Sequence, residues 1–187
     1  MERELLPWGL AGVDLGEDVL EIGPGFGATT RVLAHRGGSL TVVELSESYC
    51  KRLRQTLGDD VEIVQADATD MPFADDRFSG VVCFTMLHHV PSRELQDRLL
   101  GEVSRVLRPG GLFAGTDSLG TGKAFKLLHI HDTLVPVSPD ELPLRLERAG
   151  LVEPSVEAGG RSFRFQARKP PADAMSSQPI GTVALAS

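Results

Sequence analysis

The chain has 187 residues, a formal net charge of −7, 41% hydrophobic residues and 24% charged residues. This length and composition predict one soluble globular domain and exclude a disordered or collagen-like chain. The acidic balance disfavours non-specific binding to nucleic acid or to an anionic membrane surface, so neither is expected as a partner.

Two cysteines, Cys50 and Cys83, have neither the number nor the spacing of a disulfide framework or a zinc site. The charged N-terminus has only a short apolar stretch, which is not typical of a signal peptide. Both features predict a cytoplasmic protein.

Short apolar runs alternate with helical patterns from the first strand onward. The predicted strands are residues 18–23, 40–45, 61–66, 78–85 and 112–116. The first two predicted helices are residues 28–36 and a helix that begins at Ser46 and ends at Gly58. The third begins at Pro91 and Ser92 and ends at 109–111, and the fourth begins at a capping box at 138–141 and ends at Gly150.

A hairpin pattern follows the last of these helices. Segments 151–158 and 161–169 flank Gly159 and Gly160, and Phe163, Phe165 and Ala167 alternate onto one face. Five βα-type units and this hairpin predict an α/β sandwich of three layers, with a mainly parallel seven-stranded sheet. We expect one domain over residues 1–169, with a short stub at 1–17, and a flexible tail at 170–187.

The first predicted strand leads directly into a glycine loop. The spacing G-x-G-x-x-G/A, typical of dinucleotide-binding loops, is satisfied by Gly23, Gly25 and Ala28. The tighter spacing G-x-G-x-G is satisfied by Gly23, Gly25 and Gly27. Either pattern, between a strand and a helix, predicts a loop that approaches a nucleotide-like ligand, although a turn without a ligand remains an alternative.

Two acidic residues end the next two predicted strands. Glu44 stands 21 positions after Gly23, where a carboxylate can accept hydrogen bonds from both hydroxyls of a ribose; it could also be a helix N-terminal charge. Asp67 could accept a hydrogen bond from the amine of an adenine, or be a simple turn aspartate. Together with the glycine loop they favour an adenosine-containing ligand.

Five motifs now occur in order along the chain. They are V-L-E-I-G-P-G-F-G, V-V-E-L-S, Q-A-D-A-T-D-M-P-F, F-S-G-V-V-C-F-T-M-L-H-H-V and R-V-L-R-P-G-G-L-F. This order resembles the class I S-adenosylmethionine-dependent methyltransferases of the small-molecule type, over roughly residues 15–169. The resemblance implies a Rossmann-like sheet with an antiparallel C-terminal hairpin strand.

The resemblance also implies a set of cofactor contacts for S-adenosylmethionine. Glu21, Gly23 and Gly25 would surround the methionine part, and Gly27 would support the turn. Glu44 would hold the ribose. The adenine would meet Leu45, Asp67, Ala68 and Met71, and the transferred methyl group would lie beside Phe84 and Thr85.

A sulfonium is an activated methyl donor, so transfer needs alignment more than acid catalysis, and a base is needed only for a protonated acceptor. His88 is our first choice for such a base and His89 the second, although both could simply pack in the loop. His129, His131 and Asp132 could suggest a metal cluster, but their segment is not clearly a strand and no metal is expected. Residues 118–137 are expected to form part of the acceptor pocket.

The leading hypothesis is methyl transfer to an unidentified small-molecule acceptor. The short N-terminal stub leaves two alternatives: a module that binds S-adenosylmethionine or S-adenosylhomocysteine without catalysis, and a homo-oligomer in which another subunit completes the site. An NAD(P)-dependent reductase is a weaker alternative.

Overall fold

A computed structural model describes residues 8–120 and 134–175. Its centre is a seven-stranded sheet with the strand order β3-β2-β1-β4-β5-β7-β6. The strands are β1 (Asp18–Ile22), β2 (Ser39–Glu44), β3 (Glu62–Gln65), β4 (Phe78–Phe84), β5 (Leu107–Ser118), β6 (Val152–Gly159) and β7 (Ser162–Arg168).

The first five strands are parallel, and β7 runs antiparallel between β5 and β6. The predicted mainly parallel sheet with an antiparallel hairpin strand is therefore confirmed. Strand β1 pairs with both β2 and β4, so the strand order reverses there. In open sheets of this kind the ligand crevice lies outside the carboxyl ends of the strands at that reversal.

Helices flank the sheet, and two of them begin at a serine that caps their first turn. They are α1 (Ala28–Ala34), α2 (Glu47–Leu57), α3 (Arg93–Val106), α4 (Leu142–Arg148) and the one-turn α5 (Ala172–Met175). The hydroxyl of Ser46 accepts from the Tyr49 N–H, and that of Ser92 accepts from the Leu95 N–H. Gly58 ends α2 with φ +65°, as predicted.

Two apolar clusters pack on the opposite faces of the sheet and give the three-layer arrangement. One cluster joins β4 and β5 to α3 and α4, and includes Val81, Phe113, Leu99 and Leu146. The other joins the same sheet to α1 and α2, and includes Val42, Val82, Leu33 and Leu53. Burial on both faces explains why β1 and β4 read as almost continuous apolar runs.

Two boundaries differ from the sequence prediction. Helix α4 begins at Leu142 rather than at the predicted capping box, because Pro143 is tolerated only in the first turn of a helix. Strand β5 begins at Leu107, because this residue already pairs with Phe78 before a register shift, after which Leu112 pairs with Gly80.

Candidate active site

The glycine loop connects β1 to α1 at the reversal point. Gly23, Gly25 and Gly27 all have positive φ, at 62°, 54° and 73°. A Cβ on Gly27 would lie 2.5 Å from Leu53 Cδ2, whereas a Cβ on Gly25 would meet nothing within 4 Å in the described structure. Gly27 is thus needed for packing against α2, and Gly25 faces open space where a ligand can approach the backbone.

The carboxylate of Glu44 joins this loop to the end of β2. Its Oε2 accepts from the Gly25 N–H at 3.2 Å, and its Oε1 accepts from the Ser46 N–H at 2.9 Å. A carboxylate offers about four lone-pair positions, so each oxygen keeps one for a further donor. This leaves room for two hydroxyl groups, and Leu45 beside it is 68% exposed.

Glu21 lies deeper, against the first turn of α1. It is 1% exposed, and its Oε1 accepts from the Thr29 hydroxyl. Among the described residues its Oε2 has no hydrogen bond of normal geometry. Burial raises the pKa of Glu21 from 4.5 to about 7, against the lowering effect of the Thr29 and Thr30 hydroxyls. Glu21 is therefore a carboxyl group that can be either neutral or charged near neutral pH.

Asp67 begins the connection between β3 and β4. The carboxylate Oδ1 accepts from the Thr69 N–H at 2.8 Å, which closes a local turn, and the side chain is otherwise exposed. The Ala66 N–H donates to the Glu44 carbonyl at 3.1 Å, so this turn begins beside Glu44. Ala68 is half-buried, and Met71 is only 4% exposed, within the core.

The end of β4 turns sharply at Thr85. This β-branched residue has φ +50°, in the left-handed region where a side chain is strained, and its N–H donates to the Thr116 carbonyl at 2.7 Å. Thr85 is exposed at the sheet edge, whereas Phe84 is buried in the cluster that faces α1 and α2. Thr85 therefore lies directly after β4, at the carboxyl edge of the sheet.

His88 is held by an aspartate that the sequence analysis did not identify. The Asp117 carboxylate, at the carboxyl end of β5, bonds to His88 Nδ1 and also accepts from the His88 backbone N–H at 3.1 Å. Both side chains are almost completely buried, and the His89 ring lies 4.2 Å from the His88 ring. A carboxylate that ends an apolar strand, the signal used for Glu44 and Asp67, would have predicted Asp117 as well.

The carboxyl edge of the sheet thus brings together residues at or just after the ends of four strands. Strand β2 ends on Glu44, and the connections after β1, β3 and β4 supply Gly25, Asp67 and Thr85. Within residues 8–120 and 134–175 no group of three His, Cys, Asp or Glu side chains lies close enough to hold a metal ion. His129, His131 and Asp132, and most of the predicted acceptor segment, lie outside the described residues.

No helix in the part of the chain that the structure describes is long and apolar enough to cross a membrane. The two cysteines are buried and unpaired.

A family model described as a methyltransferase domain matches residues 20–115. A demethylmenaquinone methyltransferase from Clavibacter sepedonicus is 41% identical over 99 residues, which cover 51% of this chain and 39% of that protein. A fatty-acid O-methyltransferase from Mycolicibacterium smegmatis is 38% identical over 108 residues, covering 55% of this chain and 38% of that protein. The chain thus spans about two fifths of the length of these curated relatives.

Solved structures share the fold at low sequence identity. An S-adenosylmethionine-dependent methyltransferase from Mesorhizobium loti has a TM-score of 0.75 at 18% identity and covers 90% of this chain and 100% of its own. A phosphoethanolamine N-methyltransferase from Haemonchus contortus, in complex with S-adenosyl-L-methionine, has a TM-score of 0.73 at 18% identity. The match covers 90% of this chain and 52% of that protein's chain.

Proposed function

The chain belongs to the methyltransferase domain family, and from this premise we propose that it transfers a methyl group from S-adenosylmethionine to a small-molecule acceptor. The observation that carries the proposal is the order of Gly25, Glu44 and Asp67 along the carboxyl edge of β1, β2 and β3. This order suits an adenosine with an amino-acid tail, whereas a dinucleotide-dependent enzyme would usually need a second mononucleotide half.

Each part of the cofactor has a counterpart in the crevice. The two remaining lone-pair positions of Glu44 suit the ribose hydroxyls, and exposed Leu45 suits one face of the adenine. Asp67 Oδ2, the oxygen that the Thr69 N–H does not use, suits the adenine amine. The neighbouring Ala68 N–H would reach a ring nitrogen of the adenine. Gly23, Gly25 and Glu21 would surround the methionine part, with Gly27 supporting the loop and Met71 behind the adenine.

The bound sulfonium supplies an activated methyl group with a neutral leaving group. The protein then has to align the acceptor with the S–CH₃ bond beside Phe84 and Thr85 and exclude water. An acceptor that arrives protonated needs a base, and we assign that role first to His88 and second to His89. The Asp117 carboxylate supports this assignment, since its bond to Nδ1 would fix the orientation of the His88 ring.

The cofactor assignment is tested by Glu44→Ala, with calorimetric titration of S-adenosylhomocysteine. Loss of two charge-assisted hydrogen bonds should weaken binding by about tenfold or more while the circular dichroism spectrum stays that of the wild type. Glu47→Ala, an exposed glutamate three residues further on, is the control and should bind like the wild type. Unchanged affinity in Glu44→Ala would remove Glu44 from the site.

Catalysis is separated from mere binding by turnover. Acceptor-dependent formation of S-adenosylhomocysteine at any rate above the background would exclude a non-catalytic binding module. A cytoplasmic location, a homo-oligomer that completes the site, and the domain limits 1–169 with a tail at 170–187 stay predictions. Light scattering of the full chain addresses the oligomer.

A further inference from the structure

The connection between β3 and β4, residues 66–77, has no helix or strand of its own. Its backbone N–H and C=O groups therefore need partners elsewhere, since buried backbone groups are almost always paired. The connection carries Asp67 and Ala68, the two residues assigned to the adenine edge. What holds its backbone in place consequently affects how that edge is presented.

The guanidinium of Arg105, in the last turn of α3, is the centre of this support. Its Nε donates to Glu102 Oε1 at 2.7 Å, and its Nη2 donates to Glu102 Oε2 at 2.8 Å and to the Met71 carbonyl at 3.0 Å. Its Nη1 donates to the Phe73 carbonyl at 2.7 Å and to Asp75 Oδ1 at 2.8 Å. All five N–H donors of the side chain are used.

Glu102 completes the arrangement from the same helix. Its Oε2 accepts from the Met71 N–H at 2.7 Å, so that the Arg105–Glu102 pair bonds both backbone polar atoms of Met71. The guanidinium of Arg105 holds the pKa of Glu102 below its usual range, which keeps the carboxylate charged. The pair is a partly buried clamp rather than an exposed ion pair.

The far end of the connection is tied to the same helix end. The Arg105 carbonyl accepts from the Asp76 N–H at 3.1 Å and from Lys169 Nζ at 3.3 Å. Lys169 also donates to Asp76 Oδ1 at 2.5 Å, and it follows the last strand of the sheet. Residues 71–76 are therefore bonded at several points, while Asp67 is held by its own turn with Thr69.

We propose that Arg105 and Glu102 are positioning residues that pre-order the β3–β4 connection for the adenine of the cofactor. The inference rests on the proposed function for the identity of the ligand, but not for the clamp itself. An ordered connection before binding reduces the conformational entropy that the ligand must otherwise overcome. Replacing the planar fork of Arg105 by lysine keeps the charge and removes most of these bonds at once.

A double-mutant cycle tests the link to the adenine. Asp67→Asn keeps one acceptor, which the Thr69 N–H occupies, and presents a donor to the adenine amine. The affinity for S-adenosylhomocysteine is measured calorimetrically in the wild type, Arg105→Lys, Asp67→Asn and the double variant. We expect each single change to weaken binding. If the two losses were independent, they would multiply in the double variant; we expect the double variant to bind at least about fivefold more tightly than that product predicts.

Hydrogen exchange of the free protein tests the clamp without any ligand. In Arg105→Lys, the backbone amides of residues 68–76 should exchange at least about tenfold faster than in the wild type. In Glu102→Gln the increase should be smaller, because the side-chain oxygen of glutamine can still accept from the Met71 N–H. Arg108→Lys is the control, since Arg108 pairs with Asp18 and, among the described residues, its side chain has no hydrogen bond to residues 66–77. If Arg105→Lys does not fold, Glu102→Gln replaces it in both measurements.

The outcomes separate the two proposals. Failure of the wild-type protein to bind S-adenosylhomocysteine overturns the proposed function and with it the link to adenine. Unchanged exchange in residues 68–76 overturns the clamp. Faster exchange with strictly multiplicative losses of affinity overturns the positioning role and leaves Arg105 as a stabilising residue only.

Discussion

Glu21→Gln should change how the stability of the fold depends on pH. Glu21 is 1% exposed, and burial raises its pKa from 4.5 to about 7. The folded state therefore binds more protons than the unfolded state between these two values. The contribution of Glu21 to stability is fully present below about pH 4.5 and is lost as the pH rises through about 7.

The size of the effect follows from the same pKa values. Each pKa unit corresponds to about 1.4 kcal/mol, so a rise from 4.5 to about 7 gives about 3 kcal/mol between acidic and mildly alkaline solution. Glutamine has a similar shape, keeps an acceptor for the Thr29 hydroxyl and does not titrate. The free energy of unfolding of the variant, relative to the wild type, should therefore increase by about 3 kcal/mol from pH 4.5 to pH 8.

Urea unfolding at several pH values, monitored by circular dichroism, measures this difference. Glu17→Gln, which replaces an exposed glutamate just before β1, controls for the change in net charge. A Glu21→Gln curve parallel to that of the wild type would refute the reasoning, because it would mean that Glu21 ionises as easily in the folded state as in the unfolded one.

Two further predictions concern the loops around the crevice. Asp117→Asn should lower the free energy of unfolding by about 1–3 kcal/mol, because the ring and the backbone N–H of His88 lose a buried charged acceptor. Urea unfolding measures this difference, and an unchanged free energy of unfolding would contradict the pairing. Gly25→Ala should lower the free energy of unfolding by about 1–2 kcal/mol, because it places a side chain in the left-handed region. Gly27→Ala should lower it clearly more, because its Cβ would also meet Leu53. Equal losses for the two variants in urea unfolding would contradict this packing.

The sequence predicted those parts of the fold that depend on local signals. Apolar runs, caps at Ser46 and Ser92 and the stop at Gly58 follow from hydrogen bonding within a few residues, and they are confirmed. The predicted start of α4 at the capping box was wrong, because Pro143 is accepted only in the first turn and that turn begins at Leu142. The start of β5 depends on pairing with Phe78 in another strand, which periodicity along a single segment does not contain.

The same distinction applies to the site. Gly25, Glu44 and Asp67 were predicted because each lies at the end of a strand or within a few residues after it, and the fold places all three at one edge. Arg105 was not among the site residues predicted from the sequence. Its three bonds to Met71, Phe73 and Asp75, about 30 positions away, arise only when α3 packs beside the β3–β4 connection. Tertiary contacts of that kind leave no local spacing in the sequence.

Calorimetric titration of the intact chain with S-adenosylhomocysteine, in parallel with NADH and NADPH, tests the central claim most directly. The proposed cofactor site predicts saturable binding of one S-adenosylhomocysteine per chain and no heat of binding with either nicotinamide cofactor. Saturable binding of NADH or NADPH, without binding of S-adenosylhomocysteine, would contradict it.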